Sequence, residues 1–290
     1  MSGTNLIERA QPWLGTIVSL GVAGLSDAVA HQSIDAGFAT VRRLHDLMSF
    51  HEPASDVSRL NCKAHLGPVE VDAHTYAVLS QAHQISAATA GVFDVTVGAM
   101  LAAWGFLPGA GAIPHGGTWR DIELIEPHAV RFHQPLWVDL GGIAKGYAVD
   151  CALQTLLAHG ATQVRVNAGG DIRVAGSAAH RIMLRVPEHP KADVPVLEIA
   201  DAALASSSNT TTKRQIGDRM VAPHLNGITS KAVGFDMFVS VVAETCMVAD
   251  ALTKVVLALG PEADRVLAQY QATAYMYAPQ RGWQTIGTDV

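Results

Sequence analysis

Leu136-Trp137-Val138-Asp139-Leu140-Gly141-Gly142-Ile143-Ala144-Lys145-Gly146-Tyr147-Ala148-Val149-Asp150 is the stretch on which the reading of the chain turns. The apolar residues 136–138 predict a short strand, Gly141-Gly142 a tight turn, and the run from about Ala144 a helix. A corner of this kind gathers backbone N–H groups, the Lys145 ammonium and the Asp139 carboxylate. Unpaired N–H groups and the helix dipole both favour negative charge at a helix start, so a phosphate-bearing ligand is the first expectation. A glycine-rich connection that binds nothing is the plainer reading of one such corner; the rest of the chain weighs against it.

Two further corners carry the same elements, Phe93-Asp94-Val95-Thr96-Val97-Gly98 and Asn167-Ala168-Gly169-Gly170-Asp171. A single Asp/Gly corner is usually turn chemistry. Three of them point to a shared pocket, where carboxylates suit ligand hydroxyls, ring N–H groups or a metal. No glycine pattern matches a Walker A loop or G-x-G-x-x-G, so neither a P-loop nor a Rossmann site is supported. Further on, Asp250, Thr253 and Lys254 stand at i, i+3 and i+4 and share one helical face. Oxygens so placed can hold Mg²⁺ against a diphosphate. The same spacing also makes Asp250–Lys254 an ordinary ion pair worth about 0.3 kcal/mol, which by spacing alone is the simpler reading. Among thirteen histidines none has HxxxH spacing; His224, in the turn-like stretch 223–227, is the one placed where a functional side chain belongs. Ser206-Ser207-Ser208 lacks the GxSxG elbow of a serine hydrolase.

Composition narrows the class. Hydrophobic residues make up 49% and charged residues 16% of 290, so the chain is globular. The net charge is −6 with no basic block, which argues against nucleic acid as a partner. Cys62, Cys151 and Cys246 are far apart and read as reduced thiols rather than as a disulfide framework. The apolar run 16–25 is too short to span a bilayer and lacks the flanks of a signal peptide, so the chain as it stands reads as cytoplasmic, without a transmembrane segment.

Helical periodicity covers 28–48, 73–89 and 245–259, the last closing at Gly260. Strands are expected at 13–22, 163–167, 181–186, 196–200, 202–206 and 238–242. The glycine- and proline-rich residues 107–118 read as an exposed loop, and 206–214 as a loop or flexible strand end. Helices and strands mix without regular βα alternation. The expectation is α+β, with residues 1–290 forming a single intertwined unit.

The segments, taken in order from Leu14 to Gly260, resemble the ApbE family of FAD:protein FMN transferases. The resemblance rests on residues 139–150, on Phe93–Gly98 with Trp104-Gly105-Phe106, on Ser55-Asp56-Val57-Ser58-Arg59-Leu60-Asn61, and on residues 166–173. It implies a T-fold-like architecture with FAD in a cleft, and a Mg²⁺-dependent enzyme that splits the FAD diphosphate. FMN would pass as a phosphoester to a Ser or Thr of an acceptor flavoprotein, with release of AMP. By position, the resemblance puts Leu14, His51, Val92, Phe93, Asp94, Asp139, Lys145 and His224 at the FAD site and Gly142, Asp250 and Thr253 at the metal. Asp250 and His224 are its candidates for catalysis. The chain departs from the family pattern in having Leu14 for Met, His51 for Tyr and Lys254 for Thr. A flavin-binding protein without transfer activity and an FAD pyrophosphatase are the alternatives.

Overall fold

The computed structural model of the protein describes residues 6–109, 114, 116–186 and 194–287. Its centre is an eight-stranded sheet whose strands lie side by side in chain order: Ile7–Trp13, Thr16–Ala23, Gln163–Ala168, Asp171–Ala175, Ala203–Ser208, Phe238–Ala243, Thr273–Ala278 and Gly282–Gly287. Every neighbouring pair is antiparallel. Antiparallel strands need no crossover helix between them, so the helices enter as insertions. These are α1 (Asp27–Met48), α2 (Asp56–Lys63), α3 (Ala73–Ala88), α4 (Gly98–Ala103), α5 (Ala144–Ala158), α6 (Cys246–Leu259) and α7 (Asp264–Gln269). The α+β expectation is met.

Alternation within the strands decides which face each helix covers. Val164, Val166 and Ala168 bury against Ile34 and Phe38 of α1 and Leu153 and Leu156 of α5. Val239 and Val241 bury with Leu252, Val255 and Val256 of α6. Val242 points the other way and joins Ile172, Leu204, Leu184 and Ile199. Each fully buried aliphatic side chain contributes roughly 1.5–3 kcal/mol relative to exposure. The α6 helix starts where the Thr245 hydroxyl accepts from Val248 N, and it ends at Gly260 with φ +58°.

The expected strand at 136–138 is not one. Among the described residues it pairs with no strand, and its backbone groups are satisfied otherwise. Val138 N donates to Asn61 Oδ1 at 2.7 Å and Asn61 Nδ2 donates back to Val138 O at 3.0 Å, the side-chain amide taking the place of a strand neighbour. Asp139 N donates to Val95 O, and Gly98 N to Trp137 O. A Cβ on Gly98 would lie 2.8 Å from Trp137 O, so glycine is required for that approach. Ser206–Ser208 are the end of a strand rather than a loop, and the expected strand at 181–186 stops at Met183. Of the expected loop at 107–118, residues 110–113 and 115 lie outside the described residues.

Candidate functional site

The site is built on two helix starts that cap each other. Ile143, at the start of α5, offers no capping side chain. The carboxylate of Asp250, from the middle of α6, supplies the acceptor instead: its Oδ2 takes the Gly146 N–H at 3.1 Å. Asp150 of α5 returns the arrangement, accepting from Cys246 N and Met247 N at 2.9 Å each, at the start of α6. Helix starts leave N–H groups unpaired, and a buried one must find a partner. The helices approach closely enough that a Cβ on Gly146 would overlap the Cys246 carbonyl oxygen and lie 2.9 Å from Asp250 Cβ. The phosphate-ready helix start expected at residues 141–146 is therefore largely closed, since Ala144 N also donates to Leu140 O.

What remains open beside it is a cavity of about 440 Å³. Leu14, His51, Val92, Phe93, Asp94, Asp139, Lys145 and His224, all read from the sequence as ligand-binding candidates, line this one cavity, as does Gly142. Asp250 and Thr253 lie behind its wall, buried, and Lys254 stands in front of them. Leu14 reaches the rim from the two-residue turn joining the first two strands, at φ +55°. That left-handed conformation costs a non-glycine residue about 1–2 kcal/mol.

The ionisable groups divide into those satisfied by their own loops and those facing the cavity. Asp94 accepts from Thr96 N, Thr96 Oγ1 and Trp119 N, which makes it a loop organiser; burial nevertheless pushes its pKa up. Burial likewise raises Asp139, against the Gly141 N–H and His51. Lys145 forms ion pairs with Asp171 and, at 3.9 Å, with Asp250 Oδ2. Lys254 pairs with Asp250 Oδ1 and donates to the Asp250 carbonyl at 3.0 Å. Burial alone would raise the Asp250 pKa, but the two ammoniums hold it below the usual carboxylate range. Asp171 is fully buried, and its second oxygen, Oδ1, has no hydrogen-bond partner.

His224 is fixed by a residue that sequence reading missed. Asn209, fully buried, accepts through Oδ1 from His224 Nδ1 at 2.6 Å, while its Nδ2 donates to the carbonyls of His224 and Val233. With Nδ2 committed as donor, Oδ1 is the acceptor, so Nδ1 carries the imidazole proton and Nε2 is left with its lone pair. Burial and the Lys254 ammonium push the His224 pKa down to about 3. The strand-end serines offered no signal for this: Asn209 directly follows Ser208, and no periodic pattern marks it. The stretch 225–227 is pressed against the Asp94 loop, with Gly227 N donating to Val92 O.

The metal positions implied by the resemblance do not suit a divalent cation as they stand. Both Asp250 oxygens are engaged, one by an ammonium and one by an N–H with a second ammonium nearby. The Thr253 hydroxyl donates to Asp250 O at 2.7 Å and pairs with Ser207 Oγ at 2.8 Å. The Lys254 stem crosses over Gly142, 3.6 Å from where its Cβ would be. Among the described residues no group of three or more His, Cys, Asp or Glu converges on a metal position. The Ser55–Asn61 motif also stays away from the cavity: Asp56 binds Asp72 N, Thr75 Oγ1 and Arg59, tying α2 to α3.

Comparison with known proteins agrees with this architecture. The chain is 28% identical over 300 residues to the FAD:protein FMN transferase of Vibrio cholerae, covering 91% of this chain and 84% of that protein. The solved structure of the flavin transferase ApbE from Vibrio cholerae superposes with a TM-score of 0.83 at 25% identity, covering 98% and 97% of the two chains. The ApbE protein of Thermotoga maritima, at 24% identity, shares the fold with a TM-score of 0.83 over 97% and 96%. The ApbE family profile matches residues 14–277, and the chain belongs to the ApbE family.

Proposed function

We propose that the protein is an FAD:protein FMN transferase. The observation that carries this reading is the convergence of the eight candidate flavin-site residues on one cavity, floored by Lys145 and Lys254 and flanked by a neutral histidine. The flavin would occupy the apolar part near Phe93 and Leu14, with its diphosphate toward the lysines. A Ser or Thr hydroxyl of an acceptor protein attacks the FMN-side phosphorus. The bond from that phosphorus to the bridging oxygen breaks, and AMP leaves with the electron pair. The diphosphate, once bound, neutralises the ammoniums that depress His224 and so restores its basicity; the hydroxyl proton then passes to His224 Nε2, whose lone pair the Asn209 hydrogen bond preserves. Lys145 and Lys254 stabilise the charge that develops on the phosphoryl oxygens. Asp250 acts here by orienting both lysines rather than as the base. Metal, which the family resemblance implies, enters no step.

Residues 1–290 are taken as one unit, which the eight-stranded sheet drawing on residues 7–287 supports. Among the described residues no helix is long and apolar enough to cross a membrane. The free thiols of Cys62, Cys151 and Cys246 support the reading of a reducing, cytoplasmic setting.

The test is incubation of the protein with FAD and a lysate of its source cells, with chromatography of nucleotides and in-gel flavin fluorescence. AMP together with a fluorescent protein band is expected, and AMP with free FMN alone would indicate hydrolysis. His224→Ala should slow AMP release about 10²–10⁴-fold while FAD still binds. Unchanged turnover in that variant would remove the assigned base.

A further inference from the structure

We infer that the Lys254 ammonium stands in the place of a divalent cation, so that this protein engages the FAD diphosphate with a lysine pair and without metal. The inference rests on the flavin-site reading above. Three positions meet at the back of the cavity: the Gly142 backbone, the Asp250 carboxylate and the Lys254 side chain. A cation held by the Asp250 carboxylate beside Gly142 would need the space that the Lys254 stem and ammonium fill. The side chain is only 12% exposed, and its ammonium is held at two acceptors of the same residue, the Asp250 carboxylate and its carbonyl. It is not a surface lysine that swings aside at little cost.

The local charge supports the same reading. Lys145 and Lys254 are the lysines lining the cavity among its described residues, and each is anchored to a buried carboxylate, Asp171 for one and Asp250 for the other. The pairs sum to no net charge until an anion arrives. A diphosphate entering the cavity can accept from both ammoniums, while Asp250 keeps the Gly146 N–H as a donor. An ammonium is a compact point charge with three donors, so it can face a phosphate oxygen and a carboxylate at once. A divalent ion placed beside the same carboxylate would face two ammoniums in a wall of low polarity, where like charges repel strongly.

The decisive experiment measures FAD affinity by flavin fluorescence anisotropy in EDTA and in Mg²⁺, alongside calorimetric titration with Mg²⁺ alone. The inference expects the same affinity within about twofold in both conditions and no heat of Mg²⁺ binding. Lys254→Met keeps the stem over Gly142 and should weaken FAD binding about 10- to 100-fold, the effect of losing one charge-assisted contact. Lys254→Arg should retain binding and its indifference to EDTA, and a thermal melt of each variant establishes that it is folded. Tightening of FAD by Mg²⁺ about tenfold or more in the unaltered protein, or unchanged affinity in folded Lys254→Met, overturns the inference. Metal-indifferent FAD binding with no AMP formed would support the lysine and sink the transferase reading. Mg²⁺-dependent AMP release would do the reverse. Failure to bind FAD in either condition overturns both.

Discussion

The two helix starts where α5 and α6 meet use the same device for different purposes. At one end Asp150 receives two N–H groups from the start of α6 and the Arg173 guanidinium at 2.6 Å, and nothing at that end faces the cavity. At the other end Asp250 receives one N–H from α5 and then two ammoniums, of Lys145 and Lys254, which line the cavity. Burial raises the pKa of Asp150 in spite of its partners, whereas the lysines bring Asp250 below the usual range. A buried carboxylate whose partners are fixed N–H groups and one arginine holds structure. One whose partners are ammonium groups lining a cavity wall holds those charges ready for a ligand.

Breaking the sealed end should have the largest effect on stability. Asp150→Ala strands Arg173 and leaves the Cys246 and Met247 N–H groups without their acceptor, with a loss of about 3–5 kcal/mol, as expected when one member of a buried pair is removed. Asp250→Asn keeps an acceptor for Gly146 N and should cost visibly less stability, yet it takes the carboxylate from Lys254 while Lys145 stays on Asp171, and it should abolish AMP formation. Urea denaturation and nucleotide chromatography of the two variants would sharpen the contrast; equal losses of stability would erase it. Gly146→Ala forces the helices apart at their closest approach and should destabilise by about 1–3 kcal/mol, read from the urea midpoint.

The last contrast is the pH dependence around His224. Its folded pKa, about 3, lies below the unfolded value of 6.5. As pH falls below 6.5 the unfolded chain takes up a proton that the folded protein refuses, so stability falls with acidity until about pH 3. The slope from this group is at most about 1.4 kcal/mol per pH unit. The raised carboxyls of Asp94, Asp139 and Asp150 act in the opposite sense at low pH. The difference between the unaltered protein and His224→Gln, measured between pH 5 and 7, therefore isolates the imidazole. Parallel slopes would show that His224 is not held neutral by the fold.

Much of this was legible in the chain itself. The long helices at 28–48 and 245–259 follow from apolar periodicity, and the helix from Ala144 from the glycine corner before it, because amphipathic spacing and turn chemistry are local properties. The motif order also placed the flavin-site candidates, and they do share one cavity. The reading of 136–138 as a strand failed because a strand is defined by its neighbour, and here the neighbour is the Asn61 side chain.

Sequence alone determined the α+β class, the family and the residues around the cavity, since these are carried by short patterns whose spacing survives without knowledge of contacts. Only the tertiary structure decided what those residues do to one another. The helix start that looked open to phosphate is capped by Asp250, 104 residues away in the chain. The i, i+4 pair that looked like surface stabilisation is buried and occupies the candidate metal position. Asn209, without a pattern of its own, sets the tautomer of His224. Charges and hydrogen bonds of this kind depend on distance in space and on burial, and neither is written in local spacing.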